Sequence, residues 1–280
     1  MTTPHATALS DAGQAPAAPS PHADCRADES GTLTFVLDAP GSTGAELLLR
    51  LRGSEDPAEV TLPFEPDADG RPSARLPETL ALAEGRWDVF AALPGREPER
   101  LLPGLLDLRR LVDREPDATG GQVSPRIPYA TKHGNLSVRS WWRAPHAEAA
   151  ELVLTEGRLA VRGRLHGTLL GARAHAELCG RQAAKPVVRA ELDGSGRDFT
   201  LTVPSADLTD AAGAGVWDLW LLPEGEPGPR VRVARLLDDI ADRGPVFVYP
   251  GAVSGASGAR ARVTPYYTAD NDLSVRVDIG

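Results

Sequence analysis

Along much of this chain apolar and polar residues alternate one for one, the period of a strand with one face buried and one in water. Leu33, Phe35 and Leu37 interleave with Thr32, Thr34 and Val36, and Ala45, Leu47, Leu49 and Leu51 with Glu46, Leu48, Arg50 and Arg52. Further on, Leu159, Val161 and Leu165 oppose Arg162, Arg164 and His166, and Phe199, Leu201 and Val203 oppose Asp198, Thr200 and Thr202. Clusters of Pro and Gly at 63–72, 94–98 and 223–229 punctuate these runs as turns. The strand beginning at each of Trp87 and Trp217 runs into such a cluster and re-emerges as RLL or RVRV, which predicts hairpins. Helical spacing is confined to two short segments, 105–113 and 235–242. The pattern predicts an all-β protein.

The pattern also occurs twice. Residues 85–89 read GRWDV and 215–219 read GVWDL; residues 128–139 read PYATKHGNLSVR and 265–276 read PYYTADNDLSVR. The second copy is longer between these anchors, and the loop GAVSGASG at 251–258 takes up the difference. Ordered matches at one period predict an internal duplication. Turn-separated strands through each copy predict two tandem immunoglobulin-like β-sandwiches of Greek-key type. The boundaries expected are a disordered leader at 1–23, a first sandwich at 24–141, a linker at 142–147 and a second sandwich at 148–280. The leader is rich in Ala, Pro, Ser and Asp and has little to bury.

Composition narrows the partners. With 280 residues the chain can form two cores, and its net charge of −9, from 39 acidic against 30 basic residues, is the reverse of what nucleic acid attracts. No apolar run is long enough to span a membrane. The start lacks a basic segment followed by an apolar one, so the expected location is the cytoplasm. In that compartment Cys25, placed in the flexible leader, and Cys179 are expected as two free thiols.

Residues present in both copies are demanded by the shared fold, and residues peculiar to one are candidates for a specific task. On that rule Trp87 and Trp217 point inward with Val89 and Leu219, and Tyr129 and Tyr266, each before a turn, are expected as structural anchors. Phe90 and Trp220 fall in the outward phase, as interface residues or stacking platforms. The second copy adds Tyr267 where the first has Ala130, next to Asp270, Asn271 and Asp272. Together Phe90, Trp220, Tyr267, Asp270, Asn271 and Asp272 form the candidate ligand surface: rings on which a sugar can stack, with polar groups beside them.

The acidic triplets Asp67-Ala68-Asp69 and Asp270-Asn271-Asp272 have the D-x-D form that holds a divalent metal in nucleotide-sugar transferases. That chemistry needs a strand end in an α/β nucleotide-binding domain, whereas both triplets lie in turns, where Asp and Asn bond their own backbone. His166, His175 and Cys179 lack a zinc spacing, and no nucleophile elbow, P-loop or Gly-rich dinucleotide turn is present. No catalytic residue, metal ligand or cofactor is therefore assigned. The glycosylation triplet Asn135-Leu136-Ser137 falls in an expected strand of a leaderless chain and is set aside.

The two endings, PYATKHGNLSVRS and RVTPYYTADNDLSVRV, resemble the ends of immunoglobulin-like modules attached to actinobacterial cell-envelope transferases. Those are family 2 glycosyltransferases and glycerophosphotransferases of teichoic-acid type. The resemblance implies accessory modules for oligomerisation or polymer binding, here without the catalytic α/β domain. It implies a non-catalytic protein that assists envelope-polymer or glycan synthesis by binding a transferase or its polymer. Two rival classes stand beside it. One is a transferase or hydrolase of envelope glycans with an unfamiliar site, and the other is a general structural adaptor.

Overall fold

The computed structural model describes residues 20–38, 44–53, 55–112, 114–116, 121–155, 157–254 and 261–280. Residues 1–19 of the expected leader, and 255–258 of the loop expected to lengthen the second copy, lie outside the described residues. The alternating segments become strands. The first part of the chain holds β1 (His22–Ala27), β2 (Leu33–Asp38), β3 (Glu46–Leu51), β4 (Glu59–Pro63), β5 (Glu65–Pro66) and β6 (Pro72–Leu76). It continues with β7 (Gly85–Ala92), β8 (Glu99–Arg100), β9 (Leu102–Asp107), a one-turn helix α1 (Arg109–Val112), β10 (Arg126–Ala130) and β11 (Leu136–Ser140). One sheet runs β5-β6-β2-β1-β9; the other runs β10-β11-β7-β3-β4, with β8 beside β7. Phe35, Leu47, Leu49, Trp87, Val89 and Val138, drawn from both sheets, share one core.

The second part holds β12 (His146–Thr155), β13 (Arg158–His166), β14 (His175–Gly180), β15 (Val187–Ser195), β16 (Asp198–Pro204) and a helix α2 (Ser205–Ala212). After these come β17 (Gly215–Leu222), β18 (Val231–Ala234), β19 (Ala252–Ser254), β20 (Ala261–Tyr267) and β21 (Leu273–Ile279). Seven strands close into a barrel, β14-β15-β16-β13-β12-β18-β17 and back to β14, while β21, β20 and β19 extend from β17. Strand β17 divides its free side between two neighbours: Gly215–Asp218 pair with β21, and Trp220 and Leu221 with β18. Val161, Leu178, Leu201, Trp217 and Leu219 fill the barrel.

This corrects the expected pair of tandem immunoglobulin-like sandwiches. The chain is almost all β, but its second part is a closed barrel. The ladder order runs alike in both parts, each including one parallel contact, β1 with β9 and β12 with β18. The difference lies in two bridging strands. Strand β15 is continuous over 9 residues, pairing with β14 at its start and with β16 at its end. At the matching place in the first part the path breaks at Phe64: β4 pairs with β3, β5 with β6, and Pro63 and Pro66 have no N–H to continue a ladder. Likewise β18 joins β17 to β12, whereas β8 and β9 are separated at Leu101. The Leu101 N–H bonds Val89 and its carbonyl accepts from Leu136.

The two parts meet through a segment that the sequence pattern reads as helix. Residues 235–242 form no helix; the first part's core includes Ala234 and Leu236, with Ala241 packed against it. The amides that a helix would use are taken elsewhere. The Glu148 carboxylate accepts the Leu236 and Leu237 N–H groups at 2.8 and 3.1 Å, and Asp238 accepts that of Ile240 at 2.8 Å. The other expected helix, 105–113, is the end of β9 followed by α1, and α2 lies outside both segments. Strands also reach into the expected leader and linker, since β1 starts at His22 and β12 at His146. Among the described residues no helix is long and apolar enough to cross a membrane.

Cys25 lies in β1, opposite Phe35 and buried, rather than in a loose leader. Its alternating neighbours Ala23 and Ala27 enter the same core, and burial pushes the thiol pKa well above its usual range. Both cysteines are free. Two outcomes follow from this packing. A thiol reagent added to native protein should label Cys179 first and reach Cys25 only on unfolding; equal rates would contradict the burial. Leu236→Ala should cost about 2–4 kcal/mol in denaturant unfolding, because it empties a site in the first core from the second part of the chain. An unchanged midpoint would remove Leu236 from that core.

Candidate functional site

Strand β7 sends Trp87, Val89 and Ala91 into the core and leaves Asp88 and Phe90 on the outer face. Asp88 lies opposite Ser137 on β11 and Arg50 on β3, and Phe90 lies opposite Arg100 on β8. These register positions assemble a clamp. Arg100 Nη1 lies 2.7 Å from one Asp88 oxygen, Ser137 Oγ donates to the other at 3.0 Å, and Arg52 donates to that second oxygen as well. Burial pushes the Asp88 carboxyl pKa up, but the Arg52 hydrogen bond and the charges of Arg100 and Arg52 outweigh it, so the net shift is below the usual carboxylate value.

The arrangement recurs on the barrel. Arg181 grips Asp218 with two donors, Nε at 2.9 Å and Nη2 at 2.7 Å. Arg232 reaches the same carboxylate at 2.6 Å, and Ser274 Oγ donates to it at 2.8 Å. Here too burial raises the pKa and the Arg181 bond and Arg232 charge pull it below the usual value. Ser137 and Ser274 are the serines of the two LSVR motifs, and Asp88 and Asp218 are the acids of the two Trp-Asp pairs. Sequence reasoning passed over the four arginines. Their spacing was the available signal: Arg52 precedes Asp88 by 36 positions and Arg181 precedes Asp218 by 37.

Each clamp borders an outward ring. Arg50 and Arg100 lie over Phe90, both 5.1 Å from its centroid; Arg230 and Arg232 lie over Trp220 at 5.1 and 5.2 Å. Both rings are half-buried. Arg50 also bonds Glu59 at 2.6 Å, and Arg230 bonds Glu177 at 3.1 Å. Trp87 and Trp217 are buried below these faces. Tyr129 and Tyr266 are half-buried on the outer side, opposite Ser137 and Ser274, with Arg276 over the Tyr266 ring at 5.1 Å. Strand phase assigns the inward place to Tyr267 instead.

Of the remaining surface candidates, Asp272 alone comes near a ring-covering arginine, Arg232, and the others lie elsewhere. Tyr267 is buried in the second part's core with Phe247 and Tyr249 around it, at ring distances of 5.9 and 6.3 Å, so it offers no platform for a ligand. Asn271 is buried in a left-handed turn (φ 59°), where its side chain accepts the Arg243 N–H at 3.1 Å and donates to the Ile240 and Ala241 carbonyls. Asp270 bonds Arg139 of the first part at 2.8 Å, and its carbonyl accepts the Trp141 indole N–H at 3.3 Å. Asp272 lies 3.6 Å from both Arg143 and Arg232, and burial pushes its pKa up. The triplet 270–272 is thus a joint between the two parts, with only Asp270 exposed.

The other triplet closes its own turn: Asp67 Oδ1 accepts the N–H groups of Asp69 and Arg71 at 2.9 and 2.8 Å. Among the described residues no three His, Cys, Asp or Glu side chains are grouped to hold a metal. An open depression of about 960 Å³ lies over the end of β1 and is lined by Arg26, Asp28, Glu29, Asp107, Arg109 and Arg110. Its charges are largely paired within it, Arg109 with Asp107 and Arg110 with Glu29, each at 2.8 Å.

The clamps make a stability prediction. Asp218→Ala leaves Arg232, whose side chain is 10% exposed, without its nearest carboxylate and should cost about 3 kcal/mol. The folded pKa of Asp88 and of Asp218 lies below the reference value of 3.8, so the folded state binds fewer protons than the unfolded one. Their contribution is complete above that reference and is lost as pH falls through the lower folded values. Unfolding midpoints measured down this range should show a steeper acid limb in wild type than in Asp218→Ala, and parallel limbs would contradict the clamp.

No protein-family model matches the chain, and no curated protein does either. The chain is similar to solved structures of S. aureus TarS. One matches with a TM-score of 0.38 and 13% identity over 56% of this chain and 28% of that one. Another, of TarS residues 217–571, matches with a TM-score of 0.38 and 12% identity over 68% of this chain and 44% of that one. The chain therefore spans less than half the length of either TarS structure.

Proposed function

We propose that this chain is a non-catalytic interaction module that assists synthesis of a cell-envelope polymer, and that it binds the polymer on its two ring-and-arginine faces. One observation carries the reading: in both parts an outward aromatic ring has two guanidiniums at its face, beside a carboxylate clamp that holds one of them rigid. Guanidinium groups fixed in place lose little entropy when they grip a phosphate or carboxylate. The part of each ring left uncovered gives apolar contact for the C–H groups of a sugar or polyol. The ligand class that fits is an anionic glycan or polyol-phosphate polymer. Resemblance of the LSVR endings to envelope-transferase modules supports the setting, and the paired motifs support an origin by duplication, with units at 24–141 and 148–280 joined by 142–147. The two free thiols fit a reducing compartment, the cytoplasm.

Use of the carboxylates favours binding over catalysis. Asp88 and Asp218 are each committed to two arginines and a serine, which leaves them poor proton carriers. Titrating the protein with a polyol-phosphate polymer and with a neutral glucan of equal length tests the reading. The anionic polymer should bind, more weakly as salt rises, and the glucan should bind far less. Arg50→Gln and Arg230→Gln, which leave both clamps intact, should each weaken binding by about tenfold. Equal affinity for the two polymers, or for wild type and both variants, would sink the proposal. Turnover of a nucleotide sugar by the pure chain would replace it with an enzyme.

A further inference from the structure

A buried polar cluster sits where the second part grips the first. His146 and His166 are register partners at the ends of β12 and β13, with rings stacked at 6.1 Å between centroids. His146 is 1% exposed, and its Nε2 lies 2.7 Å from Glu148 Oε2. That same carboxylate holds the Leu236 and Leu237 amides, and Leu236 is embedded in the first core. One side chain therefore links a histidine pair to the segment that joins the two parts.

We propose that His146, His166 and Glu148 form a proton-operated latch: a proton placed on His166 loosens the hold of Glu148 on Leu236 and Leu237 and frees the junction. The groups facing His166 favour its neutral form. His146 lies beside it on β12, Arg164 is on its own strand, and Arg197 lies in the turn between β15 and β16; all three disfavour added positive charge, and only Glu148 opposes them. Arg164 is itself drawn outward to Glu115 at 3.0 Å and Asp198 at 3.8 Å, both exposed. Half-buried at a strand end, His166 can satisfy an added charge by turning to water, which breaks its stack on His146, the ring that bonds Glu148.

Burial first, then the neighbouring His146 and, to a smaller extent, Arg164 and Arg197 lower the His166 pKa from 6.5 to about 4 in the closed state. In an opened junction the ring regains its ordinary value, so opening takes up a proton between those two limits. The closed form is fully favoured above the ordinary histidine range and loses ground as pH falls toward the lower value. The direction is opposite to that of a histidine stabilised as a cation.

Amide hydrogen exchange on the full chain, corrected for intrinsic rates and compared at about pH 7 and about pH 4.5, tests the latch. In wild type the protection of Leu236 and Leu237 should fall by about tenfold or more at the lower pH, while that of the barrel amide of Trp217 holds. His166→Gln should keep Leu236 and Leu237 at one level across the range. His166→Phe, which keeps a stacked ring without a titrating nitrogen, should behave the same if the Gln variant folds poorly. Three outcomes would overturn the proposal: no loss of protection in wild type, the same loss in the variants, or a loss shared equally by Trp217, which is global unfolding.

Discussion

A carboxylate on the outer face of a central strand, held by two guanidiniums and a serine, is the interaction on which the rest of this architecture hangs. An Asp at that place would be repelled into water if it stood alone. Flanked by Arg52, Arg100 and Ser137, or by Arg181, Arg232 and Ser274, it becomes a cross-link over the sheet. Each clamp fixes one of the arginines that lie over the neighbouring ring, Arg100 for Phe90 and Arg232 for Trp220. On the barrel, Arg232 also approaches Asp272, so the clamp extends to the turn that meets the first part through Asp270 and Arg139. Strand, outer face and junction are thereby one electrostatic unit, in which each clamp sets two guanidiniums against one carboxylate inside a chain of net charge −9.

Alternation was enough to read the strands, because one-sided burial leaves a period of two wherever a strand faces a core. Closure was harder to read, since it depends on whether two short stretches run on without a break. The information was nonetheless present as proline. Pro63 and Pro66 interrupt the first bridging path and Pro103 lies on the second, whereas neither 187–195 nor 231–234 contains one. A strand that must pair on one side early and on the other side late needs its N–H groups along the whole length. The barrel forms where that condition is met.

The other misreadings share a cause: long-range partners that local pattern cannot reveal. Residues 235–242 have helical spacing, yet Glu148, some 88 positions earlier, captures the amide of Leu236. Tyr267 looks like a surface addition beside a polar turn, but Phe247 and Tyr249 come from a stretch between β18 and β19 and cover it. Cys25 reads as part of a loose leader because only short alternation surrounds it, and β2 supplies the rest of its surroundings. The Asp270-Asn271-Asp272 turn invited a ligand reading because its polar side chains stand next to Tyr267 in the sequence. Here the first part provides the arginine and the indole that occupy it.

The junction gives the two outer faces their significance as a pair. A polymer bound as proposed on the Phe90 face would meet the Trp220 face at an effective concentration set by how rigidly the parts are joined. Leu236 within the first core and Asp270 against Arg139 and Trp141 make that join a packed contact rather than a linker. Rigidity is useful only for a ligand with repeating groups at a matching interval, and it works against one whose spacing differs. Under the proposed function, selection among polymers would then come from spacing as much as from charge. The Glu148 carboxylate holds the connecting segment through two amides, at a place separate from either clamp and ring, so the join and the faces rest on different side chains.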